Sequence, residues 1–324
     1  MKVVCFGEAL VDMLSNRVSG EAAFDKPEQF SKFAGGAPAN AAVAVAKLGG
    51  EAYFAGMLGD DLFGHFLYEE LQSQGVHTDY LRFTKKARTA LAFVSLDAGG
   101  ERSFEFYRPP AADLLFCPED FAPGTFVGQG ILHVCSNSLT EEAIAATTVA
   151  AVSCARRAGW LVSFDANLRH NLWSGGEADR DRVNALLALA DLVKLSREEL
   201  EYLACDQSNY LSQQLQHHQP QLILVSDGAK PVQWTTKMGT GQVEAPAVVA
   251  VDTTAGGDAF IGGFIHQLAL QGVTSDSLPK WLALGKHRDA LVFACACGAH
   301  TVSRQGAFAA LPTLENLNIF LEQR

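Results

Sequence analysis

The sequence predicts an α/β fold in which a mostly parallel sheet is covered by helices on both faces and a small separate β-sheet lies beside it. Three observations predict this. Short, nearly all-apolar runs alternate with stretches of helical length, the order that parallel strand-helix-strand units require. The apolar runs lack the polar residue at every second position that a half-exposed strand carries, so both of their faces are buried. Residues 30–33, 89–96 and Arg102–Tyr107 instead read as strands with no helix between them, the last two joined by the turn Asp97-Ala98-Gly99-Gly100. They suit a small β-sheet lid, inserted as segments of about 12–34 and 86–110 into one domain spanning residues 1–324.

Taken in order, Lys2–Phe6 is a buried strand ending at Gly7. The Ala-rich stretch 40–48 is a helix stopped by Gly49-Gly50, because glycine accepts the left-handed conformation of a helix C-cap. Residues 131–135 form a strand, 141–158 a helix, 160–165 a strand, 180–190 a helix, and 192–195 and 222–226 two further strands. An amphipathic helix over 259–270 follows, and helices near 279–300 and over Leu314–Glu322 close the domain. No repeat of 20 to 50 residues occurs. In such a sheet, binding sites collect at the carboxyl ends of the strands.

A chain of 324 residues with 48% hydrophobic content suits one large domain with a small appendage. Thirty-six acidic against 25 basic side chains give a formal charge of −11, which argues against nucleic acid or an anionic membrane as a partner, since both need excess Lys and Arg. Any phosphate site must be local and geometric. The seven cysteines are odd in number and scattered through mostly apolar runs, a pattern of reduced thiols in a cytoplasmic protein rather than a disulfide framework. The first apolar run is too short for a signal sequence or a membrane span. The Gln/His-rich stretch 212–220 has no Cys, Asp or Glu at ligand spacing and reads as a solvated helix end and loop.

Two segments carry chemistry. Val251-Asp252-Thr253-Thr254-Ala255-Gly256-Gly257-Asp258 passes from an apolar strand through a glycine pair into a helix. The unpaired N–H groups and positive dipole end of such a terminus form an anion hole, and Gly256 and Gly257 let the backbone approach closely. Read alone, Asp258 is either a capping charge or a reactive carboxylate. Far upstream, Ala34-Gly35-Gly36-Ala37-Pro38-Ala39-Asn40 is a glycine-pair loop in which Pro38 starts a helix. No Gly-x-x-x-x-Gly-Lys-Ser/Thr loop occurs, nor a Gly-x-Gly-x-x-Gly stretch after a strand, which removes support for P-loop ATPase and dinucleotide-dependent oxidoreductase readings.

Together the two segments resemble the signatures of the PfkB, or ribokinase-like, carbohydrate kinase family, and the pattern around residues 102–113 is most similar to its fructokinases. The resemblance covers nearly the whole chain and implies a ribokinase-like three-layer αβα sandwich. It also implies an ATP-dependent, Mg²⁺-requiring kinase acting on a primary hydroxyl, with D-fructose the expected acceptor. Aminoimidazole riboside kinase, 2-keto-3-deoxygluconate kinase, ribokinase and a non-catalytic sugar-binding homologue are the alternative readings.

On this resemblance Asp258 is the general base, the backbone of Ala255, Gly256, Gly257 and Asp258 is the anion hole, and Arg169 of Asp165-Ala166-Asn167-Leu168-Arg169 stabilises the migrating phosphoryl group. Asp12, Gly35, Gly36 and Asn40 bind sugar. Phe106 and Arg108 either shape one side of the sugar site or cover the lid's apolar face. Ser196, Ser226, Gly228 and Gly257 meet the nucleotide, with Ser196 standing where the family has Asn. Glu199 organises Mg²⁺ through water, and Asp252 with Thr254 marks a monovalent-cation site, K⁺ in the family. The family usually has glycine at the position of Ala255 and alanine at that of Gly256. A homodimer is the expected assembly.

Overall fold

The computed structural model describes residues 1–18, 27–96, 102–108 and 110–322. Along the chain the strands are β1 (Lys2–Phe6), β2 (Leu10–Val18), β3 (Phe30–Gly35), β4 (Ala52–Gly59), β5 (Leu81–Thr84), β6 (Leu91–Leu96), β7 (Arg102–Tyr107), β8 (Gly130–Cys135), β9 (Leu161–Asp165), β10 (Leu192–Ser196), β11 (Leu222–Asp227), β12 (Lys230–Thr236) and β13 (Gly239–Val243). The helices are α1 (Ala37–Lys47), α2 (Leu62–Ser73), α3 (Glu142–Arg157), α4 (Arg180–Leu187), α5 (Arg197–Ala204), α6 (Tyr210–His217), α7 (Gly256–Leu270), α8 (Leu278–Ala283), α9 (His287–Val302) and α10 (Leu314–Glu322).

Nine strands form one sheet in the order β13-β12-β11-β10-β9-β8-β1-β4-β5, parallel from β11 to β5 and closed at the other edge by the antiparallel pair β12 and β13. The central strands β8 and β9 are buried along their whole length, in keeping with their mostly apolar sequences, and their His133 and Ser163 pair with each other at 3.0 Å. Helices α1, α2 and α7 to α10 pack on one face around Val43, Phe264, Ile265 and Leu291, while α3 to α6 pack on the other around Val152, Leu186 and Leu203. Each such fully buried aliphatic or aromatic side chain contributes about 1.5–3 kcal/mol of transfer free energy. These are the three expected layers.

A second sheet has the order β3-β2-β6-β7, with β2 and β6 parallel and the outer pairs antiparallel. It is fed twice from the large sheet, by β2 and β3 between β1 and α1, and by β6 and β7 between β5 and β8. The turn 97–100 lies outside the described residues.

The strand expected before the 252–258 loop is not formed, its Val249 and Val251 being exposed, and two helix starts differ from the sequence expectation. Helix α1 begins three residues earlier than 40, because Pro38 in the first turn already has a helical φ and no N–H to leave unpaired. Helix α7 begins at Gly256 rather than 259, because Ala255 adopts the left-handed region (φ 57°, ψ 8°) and ends the loop there. Among the described residues no helix is long and apolar enough to cross a membrane.

Candidate active site

The carboxyl ends of β1, β8, β9 and β10 open into a cleft of about 1220 Å³, roofed by β2 and β7 of the small sheet and closed below by the first turns of α1 and α7. Alternate residues of β2, Leu10, Asp12 and Leu14, line it, as the two-residue period of a strand dictates.

The two glycine-containing segments meet here. Asn40, in α1, donates from Nδ2 to Oδ2 of Asp258, in α7, at 2.7 Å, across 218 residues of sequence. Asn167, just past β9 with φ 38°, donates from Nδ2 to Oδ1 of Asp258 at 3.1 Å. The Asp258 carboxylate is thus buried and gripped on both oxygens, yet it lines the cleft. Burial raises its pKa above the ordinary carboxylate value, against the opposing pull of the Asn40 bond and of Lys194, Arg169 and Asn167.

Both glycines of the upstream loop have a steric reason. A Cβ on Gly35 would come within 2.4 Å of Oδ2 of Asp12, so glycine makes room for that carboxylate at the cleft wall. Gly36 has φ 105°, and a Cβ there would lie 2.6 Å from the Glu8 carbonyl oxygen. Glu8 holds the same loop from below: its Oε1 accepts from the Ala37 amide at 3.3 Å and from Asn137 Nδ2 at 3.0 Å.

At the start of α7, Gly256 donates its amide to the Thr253 carbonyl at 3.3 Å, and its missing side chain makes room for Val302 of α9. The amides of Gly257 and Asp258 lie in the same first turn, where a helix offers no carbonyl of its own. Of the four residues expected to form an anion hole, Gly256 thus has its amide engaged by the Thr253 carbonyl. Asp252 draws the preceding loop together, accepting from the Thr254 amide on Oδ1 and the Gly306 amide on Oδ2, each at 2.9 Å.

On the far wall, Arg169 lines the cleft beside Lys194, Ser196 and Glu199. Ser196 and Glu199 form a capping box on α5: the Glu199 amide donates to Ser196 Oγ at 3.1 Å, and the Ser196 amide to Glu199 Oε2 at 2.7 Å. The other oxygen of Glu199 accepts from the Leu168 amide at 2.8 Å, so this one carboxylate fixes the ends of both β9 and β10.

Of the expected site residues, Asp12, Gly36, Asn40, Phe106, Arg169, Ser196, Glu199, Asp252, Thr254, Ala255, Gly257 and Asp258 share this cleft. Gly35 and Gly256 stand directly behind it. Ser226 pairs in register with Ser196 at the next strand end, and Gly228 follows in an exposed turn, both outside the lining. Arg108 also stands outside it. It is 2% exposed, its guanidinium is 2.7 Å from Asp113 and donates to Thr140 Oγ1 at 3.2 Å, and it does not line the cleft. The chain leaves the strand after Tyr107, so the alternation that keeps Phe106 in the wall stops before Arg108.

Sequence reasoning missed Lys194, Asn167, Glu8 and Asn137 as members of the site. Lys194 carried a signal, a charge inside the apolar run 192–195 of an interior strand.

Comparisons with known proteins agree with this geometry. The profile of the pfkB family carbohydrate kinases matches residues 1–314. The chain is 40% identical over 317 residues to probable fructokinase-7 of Arabidopsis thaliana, covering 97% of this chain and 90% of that protein. The crystal structure of fructokinase with bound ATP from Xylella fastidiosa superposes with a TM-score of 0.93 at 46% identity, over 99% of this chain and 98% of that one. Fructokinase from Vibrio cholerae O395, solved with fructose, ADP and calcium ion bound, gives 0.86 at 34% identity over 99% and 98% of the two chains.

Proposed function

The chain belongs to the pfkB family of carbohydrate kinases, and from that premise we propose that it transfers the γ-phosphate of ATP to a primary hydroxyl of D-fructose, with Asp258 as the base. It is a phosphotransferase acting on a sugar hydroxyl. The observation that carries the assignment of Asp258 is the 2.7 Å bond from Asn40, which ties the loop expected to hold sugar to the turn expected to hold phosphate. A hydroxyl lodged beside Asn40 and Asp12 lies within reach of that carboxylate.

The reaction balances as follows. The Asp258 carboxylate takes the proton of the sugar hydroxyl as its oxygen forms a bond to the γ-phosphorus, and the bond to the bridging oxygen breaks to release ADP. Amides of Gly257 and Asp258, with Arg169, stabilise the charge on the transferred group. Gly36 and Asn40 place the sugar under the small sheet, which excludes water from the reaction. Ser196, Ser226 and Gly228 border the nucleotide side.

Mg²⁺ fits through water rather than through direct protein bonds. Among the described residues no group of three acidic, His or Cys side chains is placed to hold a metal ion. This agrees with an ion that keeps several waters and binds mainly the phosphates. Glu199, immobilised by two backbone amides, is the carboxylate that would orient those waters. Bound there, the ion would supply neutralisation of charge on the nucleotide phosphates. Asp252 and the backbone of Thr254 would hold a monovalent cation in the same way.

The row Phe30, Phe93 and Tyr107 stands on the small sheet with ring centroids 5.3 and 5.2 Å apart, and Phe30 and Tyr107 are exposed. It supports a homodimer formed through this sheet, which light scattering checks. All seven cysteines are free, in keeping with a cytoplasmic setting.

The test is an assay of ADP release with fructose, ribose, 2-keto-3-deoxygluconate and aminoimidazole riboside, run in potassium and in sodium chloride. Fructose should give the highest kcat/KM. A tenfold preference for another acceptor would replace fructose, and no sugar-dependent ADP release would end the kinase reading.

A further inference from the structure

We propose that Lys194 is a further catalytic residue, whose ammonium donates a hydrogen bond to an oxygen of the phosphoryl group in transit at the first turn of α7. The inference rests on the kinase reading above and deepens it.

Lys194 sits in the middle of β10, an interior strand, with 5% of its surface exposed. A buried ammonium requires a partner, because desolvation costs several kcal/mol per ion. Asp165, its register partner on β9, supplies one, with its Oδ1 and Oδ2 at 3.0 and 3.2 Å from the same nitrogen. Both contacts lie on one carboxylate edge, and a lysine has three N–H groups to dispose of.

The remaining side of the nitrogen faces the site. Lys194 lines the cleft, and its Nζ stands where a Cβ on Gly257 would come within 3.2 Å. The ammonium therefore lies against the residue immediately before Asp258, whose own amide belongs to the anion hole. Glycine at 257 keeps that face of the nitrogen uncovered. A pair serving the sheet alone has no need to reach the cleft wall.

The surrounding charges point the same way. Burial pushes the Lys194 pKa down, but Asp165, Glu199 and Asp258 outweigh it and hold the ammonium charged. In a chain of net charge −11, a fixed cation at the point where a phosphate arrives is an electrostatic contribution made before the reaction begins. Arg169 approaches from the loop beyond β9, so the two cations would flank the transferred group with no further movement of the sheet.

Lys194→Met alone leaves Asp165 buried without its partner, so the decisive protein is Lys194→Met/Asp165→Asn, compared with Asp165→Asn. The double variant should fold, as judged by circular dichroism and a cooperative melt, and bind fructose within threefold of the parent. Its kcat should fall by about 10²- to 10³-fold, the range for loss of one preorganised donor to a developing charge. The acid limb of its residual pH profile should move upward, because a cation that favours ionised Asp258 is gone. Recovery of kcat to within fivefold of the parent in the double variant would reduce Lys194 to a structural partner of Asp165 and overturn the proposal. A parent protein without fructose-dependent ADP release would instead sink the kinase reading itself, so the two failures are distinguishable.

Discussion

Replacing Asp258 with asparagine separates catalysis from stability, because the proposed base role and the burial of this carboxylate act in opposite directions. Both oxygens accept bonds from side-chain amides, Asn40 on one and Asn167 on the other. An amide at 258 turns one of these into a donor facing a donor. The Asn40 Oδ1 atom is buried with no partner, so rotating that side chain by a half-turn restores the bond. The carboxylate pKa is raised by burial. The folded chain thus holds its proton at pH values where the unfolded chain has released it. Above the folded pKa this carboxylate costs stability, and a neutral amide escapes the cost. Asp258→Asn should therefore melt at or above the parent temperature at pH 7 while kcat falls by about 10²- to 10⁴-fold. That loss equals about 3 to 5 kcal/mol of transition-state stabilisation, at 1.36 kcal/mol per tenfold. Circular dichroism melts and coupled ADP release measure the two halves. Turnover within tenfold of the parent would refute the base assignment, and a cooperative melt shifted far downward would refute the stability argument.

Two further outcomes follow from the same turn of chain. The acid limb of kcat/KM should lie above the ordinary carboxylate range near 4, with activity lost as pH falls through the raised Asp258 pKa, and a pH profile with no loss until well below that range would contradict it. Ala255→Gly removes a left-handed alanine worth about 1–2 kcal/mol of strain but adds about 0.5–1 kcal/mol of unfolded-state entropy. A melting temperature raised by about a degree or two is expected, and a fall would show that the Ala255 methyl packing outweighs the strain.

What the sequence made legible divides along physical lines. β1, β8, β9, β10 and β11 could be read directly because a strand buried on both faces is mostly apolar and lacks a polar residue at every second position, a signal contained in five or six residues. β2 was not read as a strand, since Asp12, Ser15 and Asn16 interrupt its apolar pattern and its parallel partner β6 lies about eighty residues on. The edge pair β12 and β13 escaped notice for a related reason: burial alternates along β12, and its polar positions resemble a loop. Asp258, Asn40 and Arg169 were singled out through the family resemblance, and the fold brings all three to one cleft. Lys194 was not, because its meaning depends on standing opposite Asp165, a register that exists only once β9 and β10 pair. Arg108 was read as either a wall of the sugar site or a cover for the lid's apolar face, and only the fold shows that Asp113, five residues on, captures its guanidinium beyond the strand end.

Several unfavourable features of this molecule meet at the cleft. Ala255 and Asn167 hold positive φ, Asp258 is a buried carboxylate, and one oxygen of Glu8 is buried without a partner. Each costs of order 1–3 kcal/mol. Each also sits at a junction where a rigid element ends: β1 before Glu8, β9 before Asn167, α7 after Ala255. The packing of α1 and α7 over the sheet, with residues such as Ala41 and Phe264 fully buried, supplies the stability that offsets these local costs. A relaxed loop would let Asp258 and the α7 amides move with their ligands. A rigid one holds them where charge will develop, so the energy of reorganisation is met during folding and not in each turnover. The site is therefore best understood as a set of strained strand and helix ends, and substitutions that relieve the strain should stabilise the protein most where they slow it most.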